Sequence, residues 1–152
     1  MESKDKLIVR FFDEGDGSGK LWVSASSKGF SGEGCAWIST EELKDFAEAL
    51  SRFPLLAQNP PTIRGGFSSS DLSNEISQEH VALKVYPVDQ TGHLGLQVRV
   101  ATEVWPHDRT EAQHRVQLEI QTSYQPLTEF SRMLNAVVVG KVNEAVLMAD
   151  VE

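Results

Sequence analysis

From Leu94 onward the chain keeps Leu94, Leu96, Val98, Val100 and Val104 on one parity and Gln97, Arg99 and Glu103 on the other. A period of two is the period of a pleated strand, so one face of this segment is buried and the other is wet. Such a strand requires hydrogen-bonded neighbours and a second layer over its apolar face. The same alternation recurs in Leu21, Val23 and Ala25 against Trp22, Ser24 and Ser26, in Val81, Leu83 and Val85 against Ala82, Lys84 and Tyr86, and in Val116, Leu118 and Ile120. Lys6 to Phe12 is rich in β-branched and aromatic residues and reads as a first strand. Glu144 to Met148 reads as a last short one.

The turns between these runs carry their own chemistry. Residues 13–19 combine acids with three glycines, residues 89–92 suit a hairpin loop, and Pro106-His107-Asp108 suits another turn. Lys28 to Gly34 holds three more glycines around Phe30, which predicts a turn or bulge before Ala36-Trp37-Ile38. Its aromatics are expected to pack onto the helix that follows.

Two amphipathic helices interrupt the strands. Ser39 and Glu42 match a capping box, in which a hydroxyl accepts the third amide while the carboxylate reaches back. Leu43, Phe46, Ala47, Leu50 and Phe53 then fall on one helical face, and Pro54 stops the run. The second helix is expected to begin at Pro126, to bury Leu127, Phe130, Leu134 and Val137 or Val138, and to end at Gly140. Residues 54–79, with Asn59-Pro60-Pro61, Gly65-Gly66 and Ser68-Ser69-Ser70, read as a long connection between two halves, with a short element near Leu72 to Ile76. The expectation is one α+β domain over residues 1–152. It has an antiparallel sheet of about six strands, two helices covering apolar sheet surface, and a pseudo-repeat of strands followed by a helix.

With 152 residues the chain is long enough to build a core without staples. Cys35 is its only cysteine, which excludes an intramolecular disulfide and a Cys-based zinc site. The net charge of −8 is shared evenly by the two halves, and no cluster of Lys and Arg is present. Binding to nucleic acid or an anionic membrane needs such a cluster, so neither is expected as a partner. The polar start, Met1-Glu2-Ser3-Lys4-Asp5-Lys6, and the absence of any run near ~18 apolar residues suggest a cytoplasmic protein.

The motifs that would carry chemistry fail on inspection. Gly17-Ser18-Gly19-Lys20 lacks the first glycine of a phosphate loop, where Glu14 stands, and the following hydroxyl, where Leu21 stands. Asp13, Glu14 and Asp16 alternate with glycines at 15 and 17 where a calcium loop needs ligands. His80, His93, His107 and His114 show no paired metal-binding spacing, and no Gly-x-Ser-x-Gly elbow occurs. Cys35, beside Ala36 and Trp37, reads as a packed small hydrophobe. Glu41 and Glu42 suit the first turn of a helix electrostatically. No catalytic, cofactor-binding or metal-ligating residue is assigned, and a non-catalytic binding protein is expected.

One segment is more distinctive: Gly29-Phe30-Ser31-Gly32-Glu33-Gly34-Cys35-Ala36-Trp37-Ile38, leading into the capped helix. A second runs from Tyr86-Pro87-Val88-Asp89 through Gly92-His93-Leu94-Gly95 to Val100. Together they resemble the WapI-type immunity protein family of bacteria, over residues 6–140 apart from 54–79. Cys35 departs from the acidic or polar residue expected there. The resemblance implies a protein that binds and neutralises a cognate toxin in the producing cell, and it brings no catalytic residue.

Charge offers a candidate surface. Between positions 13 and 48, Asp13, Glu14, Asp16, Glu33, Glu41, Glu42, Asp45 and Glu48 face only Lys20, Lys28 and Lys44. If the turn, the glycine-rich segment and the exposed helix face converge, Asp13, Glu14, Asp16, Glu33, Glu41, Asp45 and Glu48 form an acidic partner-binding surface suited to a basic toxin domain. The alternative is a homo-oligomeric structural or assembly module, a homodimer made through exposed strand edges. A third reading is an enzyme whose site is assembled from scattered residues.

Overall fold

The computed structural model describes residues 5–68 and 75–149. In chain order the strands and helices are β1 (Asp5–Asp13), β2 (Ser18–Ser27), β3 (Phe30–Ser39), α1 (Thr40–Ala49), β4 (Thr62–Ser68), β5 (Ile76–Pro87), β6 (His93–Ala101), β7 (Arg115–Ser123), α2 (Tyr124–Val138) and β8 (Glu144–Ala149). The strands form two four-stranded antiparallel sheets, ordered β3-β2-β1-β8 and β4-β5-β6-β7. The fold is α+β, with eight described strands in two sheets where about six in one sheet were expected.

The additional strand is β4. Its Gly65-Gly66 pair, read above as a loop signal, serves close packing: a Cβ on Gly65 would lie 2.7 Å from the Ala36 side chain. The ladder shifts register between Gly65 and Gly66, which leaves His80 as the extra residue of a bulge. Residues 54–79 therefore contain a strand and the start of β5 rather than one long connection. The short element expected near Leu72 falls largely outside the described residues.

Both halves follow one plan. From β8 through β1, β2 and β3 the first sheet is a meander leading into α1, and β4 to β7 is a meander leading into α2. The helices dock on each other through small residues: the buried Ser131 hydroxyl donates to the Ala47 carbonyl at 2.7 Å. Leu43, Phe46, Leu50, Leu127, Phe130 and Leu134 join Leu7, Val9, Val23, Leu83, Leu96 and Ile120 in one core.

Local chemistry explains the helix ends. Ser39 Oγ accepts from the Glu42 amide at 3.0 Å while Glu42 Oε1 accepts from the Ser39 amide at 3.4 Å, completing the capping box. α1 ends at Ala49 with Leu50 as its cap, short of Phe53. The Ser51 hydroxyl donates to the Glu48 carbonyl at 2.7 Å, and Pro54 restricts Phe53 to extended backbone. Phe53 then leaves the helical face and meets Tyr124 edge-on at 4.7 Å. α2 starts at Tyr124, which places Pro126 within its first turn. It stops where Gly140 takes a φ of 79° and the Lys141 amide returns to the Ala136 carbonyl at 2.9 Å. Among the described residues no helix is long and apolar enough to cross a membrane.

Candidate protein-binding surface

Strand parity decides which side chains leave the core. On β2 and β3, Leu21, Val23, Ala36 and Ile38 point inward, so Trp22, Cys35 and Trp37 point out. On β1 and β8, Leu7, Val9, Ala145 and Leu147 point inward, which leaves Ile8, Arg10, Phe12, Val146 and Met148 outward. Cross-strand register assembles these into rows: Phe12, Lys20 and Trp37 in one, and Glu144, Arg10, Trp22 and Cys35 in the next. Phe12 remains 55% exposed and Trp37 57%, and no described element covers this face. Arg10 lies 4.9 Å over the Trp22 ring and pairs with Glu144 at 2.9 Å, which holds the guanidinium flat against the sheet.

Cys35 and Trp37 correct two expectations. Cys35 is half-buried on this outer face, not packed in the core, and both Trp37 and Phe30 are exposed instead of packing on α1. The glycines between them face the other way. A Cβ on Gly34 would meet the His80 carbonyl at 2.8 Å and one on Gly32 would meet Val116 at 3.0 Å. The glycine-rich strand is thus the seam where β3 crosses close over the second sheet.

The acidic residues separate into three groups. Asp13, Glu14 and Asp16 belong to the turn before β2, closed by Asp13 accepting from the Gly15 amide at 2.8 Å and Asp16 from the Ser18 hydroxyl at 2.7 Å. The Ser18 hydroxyl and amide together hold the Asp16 carboxyl below its usual range. The Thr40 amide donates to the Gly17 carbonyl at 2.9 Å, so this turn abuts the first turn of α1 and Glu41. These four carboxylates stand at the end of the sheet that carries the row of Phe12, Lys20 and Trp37. Glu33 lies on the same outer face, four residues along β3 from Trp37 and therefore about 13 Å away. Asp45 and Glu48 do not join them. They line a separate groove between α1 and β4, together with Arg52 and Arg64.

The sequence reading missed the aromatic centre. Its signal was present, because Trp37 has the opposite parity to Ile38, and Phe12 has the opposite parity to Val9. Among the described residues no group of three or more His, Cys, Asp or Glu is placed to share a metal ion. Compared with known proteins, the chain matches no family model, no curated protein and no solved structure.

Proposed function

We propose that this chain is a non-catalytic protein-binding domain that works through the outer face of the β3-β2-β1-β8 sheet. One observation carries the reading: Phe12, Trp22, Trp37 and Arg10 stand side by side on an uncovered sheet face, with carboxylates at its ends. Tryptophan and arginine dominate the energetic centres of protein interfaces, and rigid strands hold them in place before the partner arrives. Contiguous exposed apolar surface is avoided in monomers unless something uses it. Asp13, Glu14, Asp16 and Glu41 on one side and Glu33 on the other favour a basic partner, because complementary charge speeds encounter and rejects acidic competitors.

The resemblance of residues 29–38 and 86–100 to WapI-type immunity proteins narrows the partner class to a toxin domain that the chain neutralises. The test is capture of partners from the source cells by the wild-type chain and by a Phe12→Ser/Trp37→Ser variant. A basic protein retained by the first and lost from the second supports the reading. Equal retention by both removes this face. Light scattering of the isolated chain separates the alternative. A dimer that Trp37→Ser dissociates would assign the same face to a second copy of the chain.

A further inference from the structure

The second sheet also has an outer face, and its chemistry is different. Thr62, Arg64, Ala82, Lys84, Gln97, Arg99, Arg115 and Gln117 point away from the core there, and aromatic side chains are confined to one end, at Tyr86. Across one row the register sets Arg64, Ala82, Arg99 and Gln117 on four successive strands, and in the next row Ala101 pairs with Arg115. The short Ala101 side chain, flanked by Arg99 and Arg115, leaves a depression. It is a cleft of about 550 Å³, walled by β4, β5, β6, β7 and Gln113.

Glu79 is the one carboxylate in this lining. Arg64 Nε donates to its Oε2 at 2.6 Å, while Arg99 donates to Oε2 through a terminal nitrogen at 3.2 Å and its Nε lies 3.0 Å from Oε1 without a hydrogen bond. The pairing does two things. It fixes two guanidinium groups side by side, and it consumes only part of their donor capacity, since each carries five N–H groups. Arg115 has no anionic partner among the described residues. Three cations thus line the cleft with one anion in a chain whose overall charge is −8, Arg64 standing at its border with the groove that holds Asp45 and Glu48.

We infer that this cleft binds a phosphorylated small molecule, with Arg64, Arg99 and Arg115 converging on the phosphate. The excess of positive charge in the lining matches a phosphate monoester, which carries about −1.5 to −2 near neutrality, better than it matches a single carboxylate. Planar guanidinium forks suit the paired oxygens of phosphate, and Glu79 pre-organises two of them. The cleft volume lies in the range of small-molecule sites, and Gln113 and Gln117 add neutral groups on the β7 side. The site lies on a different sheet from the aromatic face and does not depend on that face being an interface.

The test is an NMR titration of the full chain with inorganic phosphate at constant ionic strength, following the arginine Nε–H signals and the backbone of β6 and β7. The expected result is saturable shifts confined to Arg64, Arg99, Arg115 and their neighbours. Arg115→Gln should then weaken binding about tenfold, the loss of one charge-assisted hydrogen bond. Arg132→Gln, on the exposed side of α2, should leave it unchanged. Non-saturating shifts equal to those from chloride would overturn the assignment, as would identical titrations of the wild-type and Arg115→Gln chains. Acetate binding as tightly as phosphate would overturn the assignment to a dianion.

Discussion

Replacing Gly34 with alanine tests the seam between the two sheets. In most extended positions that change stabilises a protein by about 0.4–1 kcal/mol, because it reduces the freedom of the unfolded chain. Gly34 has no positive φ, so backbone conformation does not oppose it. The opposition is steric: the new methyl would lie 2.8 Å from the His80 carbonyl oxygen and 3.2 Å from Val100 Cβ. The first of these is backbone, inside a bulge that also holds the His80 ring against Phe67, so it cannot swing aside. Overpacking of this kind costs about 1–3 kcal/mol, which leaves a net loss of about 1–2 kcal/mol. For a chain this long that is a fall of about 3–6 °C in Tm. Gly32→Ala is the matched control. The nearest atoms to its methyl would be those of the Val116 and Val100 side chains, at 3.0–3.2 Å, and Val116 is half-buried and able to shift. The assay is urea unfolding of both variants, with the slope compared to confirm that the unfolded states agree. If Gly34→Ala is as stable as the wild type, β3 does not cross the second sheet as described; equal destabilisation of the two variants would refute the distinction between an unyielding His80 carbonyl and yielding valine side chains.

Other perturbations read other parts of the structure. Phe46 is buried among α1, α2 and the core, so Phe46→Ala should cost about 3–5 kcal/mol in denaturant unfolding, and a loss below about 1 kcal/mol would place it outside the core. Burial holds the His80 imidazole below its ordinary 6.5, against the opposing influence of Glu103. The unfolded chain therefore binds the extra proton first. His80 contributes stability that is complete above 6.5 and falls as the pH drops below it, and His80→Gln should flatten the stability–pH curve in that window. Reversing charge at Asp16 and Glu41 should slow association with a captured basic partner and weaken its salt dependence with folding intact, whereas reversal at Asp45 and Glu48 should not. Equal effects from the two pairs would contradict the separation of the acidic groups.

What was legible in the sequence was local. Alternation located β2, β5, β6 and β7 because a half-buried strand has to alternate, and Ser39 with Glu42 located the start of α1 because a capping box satisfies amides within four residues. β4 was hidden because Gly65 answers to Ala36 and Ile38, which come from a different sheet, and Gly66 to the β5 backbone at the bulge. The same holds for the division into two sheets: pairing partners such as Leu7 and Leu147 lie at opposite ends of the chain. At the candidate surface, the joining of the turn to Glu41 follows from the β2–β3 hairpin, whereas the removal of Asp45 and Glu48 follows from where β4 lies. Arg64, Arg99 and Arg115 form no charge run in sequence, and only the register across four strands brings them to one cleft.

The two halves repeat a plan without repeating a surface, and β3 is where they part. As the last strand of its meander it should be an edge, exposed to pairing with other chains. Gly32 and Gly34 let its inner face lie close against β5, β6 and β7, while β2 is the one described strand its backbone pairs with. Its inward parity then belongs to the inter-sheet seam, and the outward parity carries Glu33, Cys35 and Trp37 to the opposite side. In the other half the corresponding position is β7, whose outward residues, Arg115, Gln117, Glu119 and Gln121, are all polar. An aromatic face with acidic ends and an arginine cleft therefore point in different directions from one core. A protein partner seated on Trp37 and an anion held by Arg115 do not compete for the same side chains. One route of influence between them is β3, which carries Trp37 and whose Gly34 lies against the carbonyl of His80, the residue after Glu79 on β5.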